Sequence, residues 1–135
     1  MRKTTICSFI LLCSIVSLGQ NQPQWKVVKS VILRNQASPI SSTVVFTPKV
    51  PGFYRVSGYL SVAGQGSGHW GLYFNWTDLS GEFTGVGVGV DFDNQPNWIS
   101  LPPLPFVTSA GQPFTYNVPG SSGTYNVVFT IEQLQ

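Results

Sequence analysis

Short runs in which apolar and polar residues alternate, separated by glycine and proline, make up most of the chain after residue 24. The clearest run is Phe53–Ala63, which places four apolar residues on one face: Tyr54, Val56, Leu60 and Val62. His69–Thr77 repeats the pattern with another four: Trp70, Leu72, Phe74 and Trp76. A period of two is typical of β-strands that bury one face, and no segment after Gly19 shows the sustained 3.6-residue period of a helix.

The same pattern predicts further strands along the chain: Lys26–Arg34, Thr43–Thr47, Phe83–Phe92, Pro113–Val118 and Tyr125–Leu134. The last two are expected to form a hairpin around Pro119–Gly123. The proline-rich stretch from Asp93 to Pro105 is expected to be irregular, with a short strand at Trp98–Leu101. About eight or nine short antiparallel strands with such apolar faces must pair as two sheets. The sequence therefore predicts an all-β fold, an antiparallel β-sandwich of the jelly-roll type.

The first nineteen residues have the pattern of a secretion signal. Arg2 and Lys3 precede the apolar run Ile6–Leu18, and Ser17 and Gly19 are small residues at the positions that a signal peptidase reads. We therefore predict a cleaved signal peptide at residues 1–19 and a single β-sandwich domain at residues 20–135. The domain is expected to be secreted, with an extracellular, periplasmic or cell-surface destination. No later apolar stretch approaches the ~20 residues of a membrane-spanning helix.

Charge and cysteine content narrow the function further. Removing Arg2 and Lys3 from the seven basic residues leaves five, against five acidic residues. No basic patch remains to neutralise several phosphates, so nucleic acid is not expected as a partner. Both cysteines, Cys7 and Cys13, lie in the predicted signal. The domain is therefore expected to have no disulfide, no thiol nucleophile and no thiolate metal ligand.

A segment in the first half of the chain resembles a known family. In Phe46–Ser57, the residues Phe46, Pro51, Gly52 and Tyr54 match the early strand-turn-strand signature of the globular heads of complement component C-one-q, which belong with the tumour-necrosis-factor jelly rolls. A fainter similarity lies at Ala110–Tyr116, and Tyr125–Ile131 has the place of the closing strand. The resemblance implies a trimer-forming recognition or structural module. It assigns no ligand-binding residue, because such heads place those residues on variable loops.

The candidates for catalysis and metal binding are few. His69 is the only histidine and would have to serve as the base of a Ser-His-acid arrangement, yet no nucleophile elbow accompanies it. Asp91–Asn94 resembles the start of a calcium loop but lacks the glycine of the sharp turn, and Pro102 stands where the bidentate glutamate would be. Asp78 and Glu82 flank the Ser80-Gly81 turn and are expected at a solvated hairpin tip. We predict no enzymatic activity, no metal and no cofactor.

Four tryptophans give the chain its best candidates for ligand contact. Trp70 and Trp76 are in phase with Leu72 and Phe74, which favours the core over a sugar-binding strip. Trp25 near the N-terminus and Trp98 in the proline-rich stretch are freer to be exposed. These two are the predicted contacts for a ligand or for a neighbouring subunit.

The repeat Gly85-Val86-Gly87-Val88-Gly89-Val90 places glycines on one face of a strand and valines on the other. The valines are expected in the core. The glycine face of Gly85, Gly87 and Gly89 has two open interpretations: an aromatic side chain from an adjacent strand lies over it, or another subunit or a ligand packs there.

Three functional hypotheses follow. The preferred one is a secreted, non-enzymatic binding or structural module that self-assembles, with a trimer favoured by the resemblance. The alternative is a monomeric carbohydrate-binding domain that uses exposed Trp98 or Trp25. A small hydrolase built on His69 is the third and weakest hypothesis.

Overall fold

A computed structural model describes residues 22–135, and these residues form nine β-strands and no helix. The predicted signal peptide, with Cys7 and Cys13, lies outside the described residues. The strands, in chain order, are β1 (Trp25–Gln36), β2 (Ile40–Phe46), β3 (Gly52–Ala63), β4 (Ser67–Thr77), β5 (Phe83–Asp93), β6 (Asn97–Thr108), β7 (Phe114–Val118), β8 (Gly120–Ser121) and β9 (Thr124–Leu134).

The strands form two antiparallel sheets that face each other. Sheet A has the order β1-β9-β3-β6, and sheet B has the order β2-β7-β4-β5, with the short β8 paired to β4. Among the long strands of residues 22–135, only β4 and β5 follow each other within one sheet, and the other connections cross between the sheets. This interleaved order is that of a jelly roll. The predicted all-β jelly-roll sandwich is thus confirmed.

The core lies between the sheets and is built by the inward residues of the alternating runs. All eight apolar residues of the two runs that carried the strand prediction are buried, including both internal tryptophans: Tyr54, Val56, Leu60, Val62, Trp70, Leu72, Phe74 and Trp76. The interpretation of Trp70 and Trp76 as core residues is therefore confirmed. Trp70 also donates its indole N–H to the carbonyl oxygen of Ser122 at 2.7 Å, so its polar atom is satisfied inside the core.

Aromatic rings form a connected layer through the core. The ring of Phe114 lies 4.9 Å from that of Phe106 and 5.8 Å from that of Phe74, and it also contacts Phe46 and Trp76. The ring of Phe74 lies edge-on to Phe129 at 4.9 Å. Because Phe114 and Phe74 belong to sheet B while Phe106 and Phe129 belong to sheet A, these contacts join the two sheets.

The prediction for residues 93–105 was wrong, since β6 is a continuous strand of twelve residues from Asn97 to Thr108. β6 pairs with β3 alone and is the edge of sheet A, where a residue without an N–H is tolerated. Pro102 and Pro103 lie at a register shift, because Val56 pairs with Leu104 while Gly58 pairs with Leu101. A bulge at an edge therefore accommodates the prolines without ending the strand.

The predicted hairpin of the last two long strands was also wrong. β7 pairs with β2 and β4 in sheet B, whereas β9 pairs with β1 and β3 in sheet A. The turn between them, with Ser122 and Gly123 at positive φ, carries the chain across the sandwich through the two-residue strand β8. Apolar and polar residues alternate along both strands. The apolar face of each strand packs toward the opposite sheet, so β7 and β9 do not lie side by side.

The two ends of the described chain are joined at one end of sheet A. Gln24 and Gln135 exchange two backbone hydrogen bonds of 2.9 Å. Close by, Arg55 donates to both carboxylate oxygens of Glu132, and its guanidinium carbon lies 4.5 Å from the centre of the Trp25 ring. These side chains link β1, β3 and β9, and the guanidinium lowers the pKa of Glu132.

Phe114→Ala tests the aromatic layer. Because the Phe114 side chain is fully buried among rings of both sheets, the substitution is expected to lower the free energy of unfolding by about 3–5 kcal/mol. The measurement is urea denaturation followed by fluorescence. The matched control is Phe83→Ala, since Phe83 is 72% exposed and its loss should change stability by less than about 0.5 kcal/mol. Equal losses for the two variants would contradict this account of the core.

The Arg55–Glu132 pair predicts a pH dependence of stability. Because the folded-state pKa of Glu132 is lowered, the pair stabilises the fold above the pKa of an unfolded-state glutamate, and this contribution is lost as pH falls through the folded-state pKa. The urea midpoint of the wild type should exceed that of Glu132→Gln at neutral pH, and the difference should shrink as pH falls through the folded-state pKa of Glu132. A difference that grows on acidification would contradict the assignment.

Candidate functional site

The outer face of sheet A carries a groove of about 590 Å³ at the end away from Gln24 and Gln135. We call it the Trp98 groove. Trp98 of β6 forms one wall, Tyr59 and Ser61 of β3 form the floor, and Asn126 of β9 forms the opposite wall. Trp98 is 67% exposed, which agrees with the expectation that this residue is free to contact a ligand.

Strand pairing explains why these side chains meet. Ser61 is paired with Trp98 on one side and with Asn126 on the other, so the three form one row across sheet A. Tyr59 lies in the next row with the same outward phase, paired with Ser100 and Val128. Tyr59 and Trp98 are therefore diagonal neighbours at about 7 Å, which is within reach of two aromatic side chains. Two exposed rings thus lie beside the polar side chains of Ser61 and Asn126.

The polar groups of the groove are fixed by hydrogen bonds. Asn126 donates from Nδ2 to the hydroxyl oxygen of Ser61 at 3.2 Å, and its Oδ1 accepts from the backbone N–H of Asn35 at 2.9 Å. Since the Ser61 oxygen accepts from Asn126, its own proton remains to donate to a ligand. Asn35 reaches this position because it has a positive φ of 52° beside a register shift of β1.

A smaller depression of about 290 Å³ continues the groove across β9. It shares Tyr59, Ser61 and Asn126 with the groove and ends at Arg34 of β1. Among the residues that line the two depressions, Arg34 carries the one formal charge. The surface that a ligand would meet is therefore aromatic and neutral-polar over most of its length.

A third depression, of about 670 Å³, lies around the β5–β6 turn and shares Pro96 and Asn97 with the Trp98 groove. It contains the candidate residues His69 and Asp91, whose Nδ1 and Oδ1 atoms are 2.7 Å apart. Both side chains are largely exposed to solvent. In residues 22–135, no hydroxyl is hydrogen-bonded to Nε2 of His69, so the described geometry does not assemble the Ser-His-acid arrangement.

The acidic residues nearby are engaged in local turn geometry. Asp93 accepts from Nδ2 of Asn94 at 3.0 Å, and Oδ1 of Asn94 accepts from the backbone N–H of Gly66 at 2.7 Å. Within the described part of the chain, no three His, Cys, Asp or Glu residues are placed to share a metal ion. At the other end of the fold, Asp78 accepts from Ser80 and Glu82 in the β4–β5 turn, and these bonds lower the pKa of Asp78.

The other predicted contact residues lie elsewhere. Trp25 is on the same sheet as Trp98 but at its opposite end, and its ring is half-buried beneath Arg55. Gly85, Gly87 and Gly89 face outward from sheet B and are exposed. A Cβ at Gly87 would lie 2.1 Å from the Tyr73 ring, which shows that an aromatic side chain of the adjacent strand covers this glycine. The structure therefore separates the predicted contacts into three places.

Sequence reasoning missed Tyr59, Ser61 and Asn126. Each has the outward phase of its strand, which the alternating pattern shows. Their meeting with Trp98 depends on the pairing of β3 with β6 and β9, whose paired residues are distant in sequence. The outward phase was thus the one signal that could have placed them on a common surface.

Comparison with known proteins gives structural neighbours at low similarity. No protein-family model and no curated protein sequence matches this chain. Similar solved structures include the CBM22-1 xylan-binding domain from Paenibacillus barcinonensis Xyn10C, at 15% identity and a TM-score of 0.43 over 86% of this chain and 84% of that chain. A second is a structure of infectious bursal disease virus, Gt strain, at 11% identity and a TM-score of 0.44.

The match to the Gt strain covers 96% of this chain and 36% of the viral chain, so this chain spans about a third of that protein. At these TM-scores the likenesses carry no weight for function, and the jelly-roll assignment rests on the strand order of this chain. The resemblance to complement-type heads stays a prediction. In residues 22–135, no helix is long and apolar enough to cross a membrane.

Proposed function

We propose that the protein is a non-enzymatic binding module that holds a neutral glycan in the Trp98 groove. The observation that carries the proposal is the exposed pair of rings, Trp98 and Tyr59, beside the hydrogen-bonding groups of Ser61 and Asn126. A sugar ring offers apolar C–H faces to aromatic rings and hydroxyl groups to neutral polar side chains. The groove presents both kinds of group together.

The charge of the surface supports an uncharged ligand. The Trp98 groove itself contains no ionisable side chain other than the Tyr59 phenol, and Arg34 lies at the end of the neighbouring depression. A phosphorylated or strongly anionic ligand would favour several basic groups, as phosphate contacts do. Hydroxyl groups instead pair well with amide and serine side chains, which both donate and accept.

Preorganisation also favours ligand binding here. The Asn126 amide is held at both ends before any ligand arrives, so fewer rotamers are lost on binding. Tyr59 and Ser61 are carried by the central part of β3, which pairs on both sides with β6 and β9. The binding groups therefore belong to rigid strands and not to flexible loops.

The proposal includes export. The basic residues at the start of the chain and the apolar run of residues 6–18 support secretion. After export, the protein would meet extended glycans.

Trp98→Ala is the test of the binding function. The purified protein is first applied to a glycan array, and the strongest soluble ligand is then titrated by calorimetry. Loss of the Trp98 ring is expected to weaken binding at least about tenfold, because the stacking surface disappears while Ser61 and Asn126 remain. Trp98→Phe should retain part of the affinity.

Phe83→Ala is the matched control, because it removes an equally exposed ring from sheet B. Its affinity should equal that of the wild type. Binding that is unchanged by Trp98→Ala, or an array without any signal, would overturn the proposal. Urea denaturation of each variant distinguishes lost contact from lost folding.

A further inference from the structure

An open sheet ends in two edge strands whose outer N–H and C=O groups have no strand partner. The strands described for residues 22–135 leave four such edges, namely β1 and β6 of sheet A and β2 and β5 of sheet B. Exposed edges pair readily with other strands, so proteins usually obstruct them with lysine, proline, bulges or short length. The four edges of this protein differ sharply in these features.

β1 and β2 are both obstructed. β1 carries Lys26, Lys29 and Arg34, and its register with β9 shifts twice. β2 is seven residues long, lies between Pro39 and Pro48, and also has two register shifts. Positive charges would repel a second copy of β1, and the irregular backbone of both strands interrupts the spacing that pairing requires.

β6 is obstructed and β5 is not. β6 contains three prolines, which lack the N–H that pairing requires: Pro102, Pro103 and Pro105. β5 has eleven residues and no proline, lysine or arginine. It pairs with β4 residue by residue, from Ser67↔Asp93 to Thr77↔Phe83, without a register shift. The segment Thr84–Val90 is also free of acidic residues, so it is an uncharged edge without a bulge.

The glycine face explains how a partner would approach. Tyr73 covers Gly87, and Asn75 and His69 lie against Gly85 and Gly89, since Cβ atoms built at those glycines would meet these side chains at 2.6 and 2.8 Å. The outer face of β5 is thus already occupied by side chains of β4. The backbone N–H and C=O groups along the free edge remain available for pairing. The glycines of β5 have no side chain that would hinder a strand beside them.

We propose that β5 pairs antiparallel with β5 of a second copy of this chain, so that sheet B runs continuously through a two-fold dimer. Antiparallel pairing of a strand with itself is self-complementary, and it brings together two uncharged Thr84–Val90 segments. The pairing ends near Asp91, because Asn97 donates to the backbone oxygen of Asp91 at 2.7 Å. This inference does not depend on the Trp98 groove.

The expected dimer is weak. A seam of seven residues buries little area compared with the ~1,200–2,000 Å² of standard stable interfaces. Association is therefore expected to depend on concentration in the micromolar to millimolar range, and it differs from the trimer that the resemblance to complement-type heads implies.

The test uses the protein expressed from its full reading frame, followed by sedimentation velocity from about 1 µM to about 1 mM. Monomer should convert to dimer as concentration rises. Hydrogen exchange at the two extremes should show added amide protection in Thr84–Val90 and no change in the control edge Ile40–Phe46. A monomer at every concentration, a trimer, or protection outside β5 would each overturn the proposal.

The variant Gly89→Lys tests the proposed contact between the two β5 strands. A Cβ at Gly89 meets only the movable His69 ring closely, so the lysine should be accommodated, and it brings one positive charge from each copy to the seam. Dimerisation should weaken at least about tenfold. The matched control is Val44→Lys on the β2 edge, where the side chain is also exposed, and its dimerisation should equal that of the wild type.

Urea denaturation establishes that both variants fold. If Gly89→Lys is destabilised, the concentration-dependent hydrogen exchange of the wild-type protein alone tests the proposal. Equal weakening by the two lysines would overturn the proposal, because it would show a general charge effect and not a contact at β5.

Discussion

The aromatic layer between the two sheets is the interaction on which the rest of the structure depends. Both cysteines lie in the predicted signal peptide, so no disulfide can join the sheets among residues 22–135. Nearly every connection crosses from one sheet to the other, and the sheets must therefore be held by what their inner faces bury. Phe114 and Phe74 from one sheet contact Phe106 and Phe129 from the other, and these rings supply large apolar area in one continuous contact.

That arrangement leaves the outer faces free to differ. Since the inner residues fix strand position, outward residues such as Tyr59, Ser61 and Trp98 are not required for the core. On the outer face of sheet A, exposed rings lie beside amide and hydroxyl groups that hydrogen bonds hold in place. On the outer face of sheet B, the Tyr73 ring lies over Gly87 and lines a shallow depression of about 390 Å³ together with Phe83. The two outer faces of the sandwich thus carry different sets of exposed residues.

Local periodicity predicted the elements well and their pairing poorly. The buried faces of β3 and β4 follow directly from alternation, because burial on one side of a strand is a local property. The length of β6 could not be predicted, since tolerance of Pro102 and Pro103 depends on the strand being an edge with a bulge opposite Ser57. For the candidate site, the exposure of Trp98 was predicted, whereas Asn126 joins it only through the pairing of both strands with β3.

The junction of Gln24 with Gln135 has a consequence for how the protein is displayed. Asn126 lies eight residues before Leu134 on β9, so the Trp98 groove is about 27 Å from the joined ends at the rise of a β-strand. A tether attached at either end would leave from the opposite pole. Such a tether would therefore be attached at the end of sheet A farthest from the groove and would leave the groove open to a ligand.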